Sequence, residues 1–136
     1  MNFDDKSWTT FEFKNSFSDS TGLPLGTYTN VEDKNGIIWF AAGLYGVIQL
    51  NQDMTWKLYT KENSGLPENN VERIGGVDDN NAKWLSVNWK LVSFDGMEWK
   101  VHETPYFEGS GNHISYIAIG RNTICLGLWY PGGGAA

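Results

Sequence analysis

Cysteine is almost absent from this chain of 136 residues: Cys125 stands alone, so no intrachain disulfide can form. A lone thiol suits a reducing compartment, and many extracytoplasmic domains also lack disulfides. Basic residues are sparse as well. Ten Lys and Arg are scattered singly among sixteen Asp and Glu, giving a formal charge of −6 and a pI near 4.7. A phosphate backbone calls for clustered Lys and Arg. No basic run exists, which argues against a nucleic-acid partner and, on the same ground, against an anionic membrane surface. No apolar run approaches the ~20 residues of a membrane span, so this segment is not expected to insert into a bilayer. The start, Met1-Asn2-Phe3-Asp4-Asp5-Lys6, lacks the charged-then-apolar pattern of a secretory signal. Any export signal or anchor is expected to lie outside this chain or not to exist. Histidine is limited to His102 and His113. Two distant histidines and one cysteine do not make the tetrahedral ligand set of a zinc site, and no metal or cofactor is expected. A sustained helical period is missing too.

Aromatics are plentiful: seven Trp, six Tyr and seven Phe. Bulky rings suit pleated, half-buried strands. Sixteen Gly, with many Asn and Asp, supply the turns that would separate such strands. The composition predicts an all-β protein.

A repeat of about 43 residues runs through the chain, and repeats of this length govern the fold. Gly22-Leu23-Pro24 returns as Gly65-Leu66-Pro67, and Trp39 returns as Trp84 after a polar turn in each case. Trp8, Trp56 and Trp99 sit in short alternating segments. A third copy is weaker: Val71 and Ile74 return as Ile114 and Ile117, and Cys125-Leu126-Gly127 aligns with Trp84-Leu85-Ser86. Period-two alternation predicts strands at Val71–Val77, Ala82–Val87, Lys90–Phe94 and Glu98–His102, with Asp95-Gly96 as a hairpin turn. The preceding copy predicts Thr27–Asp33, Ile37–Ala41, Tyr45–Leu50 and Met54–Thr60. Four short antiparallel strands per repeat is the pattern of one β-propeller blade. The fold expected is a partial propeller filling residues 1–130. Its full blades would span about 22–60 and 65–103, with partial blades at 7–14 and 113–128 and a flexible tail at 131–136.

The run Gly65-Leu66-Pro67-Glu68-Asn69-Asn70-Val71-Glu72-Arg73-Ile74, followed by Asp79, Trp84-Leu85, Phe94-Asp95-Gly96 and Trp99, resembles the two-component regulator propeller repeat. Gly22-Leu23-Pro24 with Asp33, Gly36, Trp39-Phe40 and Trp56 is a second match, and the resemblance covers residues 7 to 128. Ala41-Ala42 and Ser86-Val87 depart from it where Gly-Thr is usual, as does Cys125 in place of the third Trp. The resemblance implies a piece of the sensing domain of a signalling protein. Such a domain is extracytoplasmic (periplasmic), binds ligands such as glycan fragments, and carries no catalytic residues.

Blades rest on their neighbours, so an unclosed array bares an apolar face. If each open end exposes ~400 Å², the loss is about 10 kcal/mol per end. Two covers are expected: the rest of a larger propeller, or a second copy of the chain, with the strand at Trp8 completing the unit that ends near Leu128.

The hairpins between second and third strands carry Tyr45, Trp89 and Trp129-Tyr130 at matching positions. At a rim, such rings stack on sugars or apolar groups, or pack back onto the next blade. Tyr28, Asn69, Asn70, Asn112 and His113 begin innermost strands, where they offer hydrogen bonds or simple turn chemistry. The recurrent Trp residues (Trp39, Trp56, Trp84, Trp99) read as packing between blades. His102, on an outermost strand, is expected to face solvent. Glu32, Asp33, Glu68 and Glu72 are carboxylates with nothing in the sequence to single one out. The expected function is non-enzymatic ligand recognition or protein interaction, with candidate ligand-binding residues Tyr45, Trp89, Trp129, Asn69, Asn70 and His113 and no catalytic residue. The alternatives are a lectin-like homo-oligomer and an enzyme. The enzyme rests on a weaker resemblance to streptogramin-lyase propellers, which implies a central His and a metal. His113 is the residue that reading would use, and the family's motif is missing around it.

Overall fold

The computed structural model describes residues 2–3, 8–9, 29–103 and 113–129, with the side chains of 2, 3, 8, 9, 113 and 129 left aside. Among these residues there are twelve strands and no helix. Asn2–Phe3 (β1) pairs with Trp8–Thr9 (β2). The first four-stranded sheet is an antiparallel meander of Thr29–Glu32 (β3), Ile38–Ala41 (β4), Val47–Leu50 (β5) and Trp56–Tyr59 (β6). The second repeats that order with Val71–Val77 (β7), Lys83–Val87 (β8), Lys90–Phe94 (β9) and Trp99–His102 (β10). His113–Gly120 (β11) and Thr123–Trp129 (β12) form a hairpin. Residues 10–14, 22–28, 104–112 and 130–136, including Tyr28, Asn112, Tyr130 and the tail, lie outside the described residues.

The first strands of the three units lie side by side, β3 against β7 and β7 against β11. One hydrogen bond fixes the first of these contacts, from Ile74 N to Thr29 Oγ1 (2.8 Å), and Val71 N donates to Gly43 O in the loop after β4 (2.8 Å). Gly75 and Gly76 let β11 come close to β7. A Cβ on Gly75 would run into the Ile117 side chain, and one on Gly76 would sit 2.6 Å from Ile119 Cγ1.

Alternation along each strand then builds two apolar layers. One face of the second sheet (Leu85, Val87, Val92, Phe94, with Val71 and Ile74) packs on Trp39, Ala41 and Val47 of the first. Leu66 of the connection between sheets is buried in the same layer, which gives Gly65-Leu66-Pro67 its physical purpose. The other face offers Leu91 and Trp84 to Ile114, Ile117, Ile124 and Leu126 of the hairpin. Each fully buried aliphatic side chain here contributes about 1.5–3 kcal/mol, and the second sheet, covered on both faces, holds the most of them.

Polar pairs recur at matching places. Tyr59 OH donates to Gln49 Oε1 (2.7 Å) between β5 and β6, and Ser93 Oγ meets His102 Nε2 (2.8 Å) between β9 and β10. Tyr59 packs on Trp39 and His102 stacks on Trp84, with ring centres 5.7 and 4.6 Å apart. His102 therefore does not face solvent as its edge strand suggested. It is half-buried and takes the role of Tyr59. Burial, with Lys100 adding to it, lowers its pKa from the ordinary histidine value.

Candidate functional site

The sheets have two ends. At one end lie the β4–β5 and β8–β9 turns and the start of β7; at the other lie the β3–β4, β7–β8 and β11–β12 turns.

The first end holds the aromatic candidates. Tyr45 sits half-buried in the loop Ala42–Gly46, closed by hydrogen bonds from Tyr45 N to Ala42 O (3.2 Å) and from Ala42 N to Gly46 O (3.0 Å). Trp89 is the second residue of a two-residue turn, since Val87 pairs with Lys90 across it. Asn88 and Trp89 have φ of 48° and 65°. That left-handed pair is the conformation Asn-Gly adopts in tight hairpins. A large side chain there carries a conformational cost, of order 1–3 kcal/mol. Trp89 is nonetheless 37% exposed. The two turns flank the start of β7, because Gly43 O accepts from Val71 N and Asn70 O from Asn88 N (2.7 Å).

One carboxylate organises this end. Glu72 Oε2 accepts from Ser86 Oγ (2.9 Å) and from Trp89 N (3.2 Å), while Oε1 accepts from Asn70 Nδ2 (2.6 Å). Glu72 thus ties the Trp89 turn to the first strand. The sequence named this carboxylate without distinguishing it, since its importance comes from a cross-strand neighbour fourteen residues away. Beside it, Arg73 Nε is buried with no hydrogen-bond partner among the described residues. An unsatisfied buried donor is uncommon and costly.

Of the candidate binding residues, Asn70 and Trp89 meet through Glu72, and Tyr45 lies on the β4–β5 turn at the same end of the sheets. Asn69 is committed elsewhere: its Oδ1 accepts from Lys61 N (2.8 Å) and its Nδ2 donates to Glu62 (2.9 Å), holding the 60–70 connection in shape. His113 and Trp129 face each other as backbone partners at the open end of the β11–β12 hairpin, and their side chains lie outside the described ones.

The opposite end is built from Asp turns. Asp33 and Asp78 each use one carboxylate oxygen to accept two turn amides and the other to accept the indole N–H of the Trp six residues on. The Asp78 carboxylate is thus spent on bonds within its own turn and to Trp84. Among the described residues no group of three or more His, Cys, Asp or Glu is placed to hold a metal ion.

No protein-family model matches the chain, and no curated protein matches it.

Proposed function

We propose that the chain is a stacked-blade segment of a β-propeller that recognises a carbohydrate through aromatic faces at one rim and performs no reaction on it. The observation carrying this reading is Trp89, a large ring kept at a turn position that favours glycine and left 37% exposed. Side chains held against backbone preference concentrate at functional sites. Tyr45 supplies a second ring near the same rim, and Asn70, Glu72 and Arg73 supply polar groups for sugar hydroxyls. The adjacency of β3, β7 and β11, with each unit turning the same face to the next, supports radial stacking of blades.

In this reading the chain is part of a sensing domain, and finding a kinase or DNA-binding region encoded with it would support that role. Further strands pair with β12, whose only strand partner among the described residues is β11, and cover Tyr116 and Leu128, which are 61% and 42% exposed. Sedimentation of the purified chain tells the two sources apart: a discrete dimer means that a second copy supplies those strands.

A glycan array is the direct test. A bound glycan whose affinity falls by at least about tenfold in Trp89→Ala, the loss of roughly one stacking contact, supports the reading. A glycan bound equally well by Trp89→Ala removes the rim from it. Turnover dependent on a metal and lost in His113→Ala replaces recognition with catalysis.

A further inference from the structure

The two inter-sheet interfaces follow one plan, and the loss of its cations at the second opens a cleft. At the first interface, Asp33 Oδ1 accepts from the amides of Asn35 (2.8 Å) and Ile37 (3.1 Å), and Oδ2 accepts from Trp39 Nε1 (2.9 Å). Lys83 reaches across from β8 to complete the group. Its Nζ lies 3.3 Å from Asp33 Oδ2 and 4.7 Å from the centre of the Trp39 ring. At the second interface, Asp78 Oδ1 accepts from the amides of Asn80 and Ala82 (both 2.9 Å), and Oδ2 accepts from Trp84 Nε1 (2.8 Å). Aspartate, turn and indole are all reproduced. The ammonium is not.

The residue in the place of Lys83 is Ile124. Asn81 and Asn122 hold the same left-handed φ (65° and 59°) just before the second strand of their units, and counting on from each brings Lys83 level with Ile124. Strand pairing gives the same register, since Leu85 faces Ile74 as Leu126 faces Ile117. The other cation of the first interface is Lys34, which donates to Asp79 O (2.7 Å); its counterpart is Asp79. Both ammonium groups are therefore replaced at the second interface, one by an apolar side chain and one by a carboxylate. A cleft of about 220 Å³ remains, lined by Asp78, Asp79, Asn80, Trp84, Asn122 and Ile124 among others. Among the described residues, no Lys or Arg forms an ion pair with Asp78.

We propose that this cleft binds a primary ammonium on a short aliphatic chain, with its nitrogen at Asp78 Oδ2 and over the Trp84 ring, where Lys83 places its own nitrogen at Asp33 and Trp39. The chemistry is that of a charge-assisted hydrogen bond combined with a cation–π contact. His102 covers the Trp84 ring as Tyr59 covers that of Trp39, which leaves the cleft side for the cation. Ile124 gives the carbon chain an apolar wall. The cleft is smaller than the roughly 300–1,000 Å³ of a drug-sized site, which fits a chain of a few carbons. Asp78 is ionised to meet it: burial acts to raise its pKa, but the Trp84 indole, the Ala82 and Asn80 amides and the more distant charge of Lys34 outweigh that and hold it below the usual carboxylate range.

The test is a titration of the whole ¹⁵N-labelled chain with n-butylammonium, followed by amide and indole NMR resonances. The expected result is a saturable shift of the Trp84 Nε1–H and the Asn80 and Thr123 amides, with Trp39 Nε1–H as an unmoved reference. Asp78→Asn weakens binding by about tenfold or more. Ile124→Lys gives the cleft its own ammonium, so it keeps the fold and displaces the ligand, again by at least about tenfold. That variant decides the matter even if Asp78→Asn fails to fold. An equal response to n-butanol, or an Ile124→Lys chain that titrates like the parent, overturns the proposal. Nα-acetyl-lysine methylamide separates the sources: binding as tight as n-butylammonium identifies a peptide lysine, and much weaker binding identifies free alkylamines.

Discussion

Asp33 and Lys83 offer the sharpest test of how the sheets are held together, because removing one partner should do far more harm than removing the other. Both are buried, at 6% and 3% exposure, and their charged atoms lie 3.3 Å apart. Asp33→Asn keeps an oxygen for the two turn amides but turns an NH2 toward two donors, the Trp39 indole and the Lys83 ammonium. A buried cation left without its anion costs about 3–5 kcal/mol. Lys83→Met leaves Asp33 with three hydrogen bonds, a state the chain already tolerates at Asp78, so its cost is about 1–2 kcal/mol. Combining the two removes the orphaned charge and leaves only the badly paired indole, about 1–3 kcal/mol. The double variant is therefore expected to be more stable than Asp33→Asn alone, by about 2 kcal/mol. Urea unfolding at pH 7 with an unchanged m-value measures this. The acid limb gives a second reading. Burial raises the Asp33 pKa, but the Trp39 indole, the Ile37 and Asn35 amides and Lys83 together bring it below the ordinary value. The unfolded chain then binds more protons, so stability from Asp33 is complete above about pH 4 and lost as pH falls through the folded pKa. Asp33→Asn should flatten that loss. If Lys83→Met destabilises the chain as much as Asp33→Asn, or brings no recovery in the double variant, the ion pair does not organise this interface as argued.

Other consequences are quicker to state. Trp89→Gly relieves a left-handed φ at a large residue and should raise unfolding stability by up to about 1 kcal/mol while abolishing any rim affinity; a loss of stability instead would mean that the ring is chiefly a packing element. Gly75→Ala places a methyl against Ile117 and should cost about 1–3 kcal/mol by forcing β7 from β11, read from urea midpoints. His102 should titrate below the free-histidine value of about 6.5 in NMR. Its folded pKa is the lower one, so its contribution to stability is complete above about pH 6.5 and declines as pH falls through the folded pKa. Trp84→Leu, which uncovers the imidazole, should bring that midpoint back up.

The strands were legible because alternation and turn residues agree. Val71–Val77 and Lys90–Phe94 fall where the pattern puts them, residue for residue. Elsewhere the observed strands are shorter. Ile37, expected in a strand, gives its amide to Asp33 Oδ1, and Thr55 gives its own to Asp53 Oδ1, so both belong to turns. Sequence alternation cannot show which amide a nearby carboxylate will take. Lys83 and His102 were opaque for a related reason. A lysine at the head of a strand and a histidine on an edge strand both read as solvent-facing until the neighbouring unit brings Asp33 to one and the fold brings Trp84 to the other.

The rim was legible in part, and the part that failed is instructive. Position alone grouped Asn69 with Asn70, adjacent residues with the same side chain. One holds the 60–70 connection through Lys61 and Glu62, and the other joins Glu72. A repeat identifies equivalent positions without saying what each copy does with them. The same logic governs the two Asp–Trp interfaces, where shared geometry makes the exchange of Lys83 for Ile124 meaningful. Had the two carboxylates been built differently, the cleft at Asp78 would be only a surface depression. Because they match bond for bond, the chain's own first interface supplies the reference for what the second can hold.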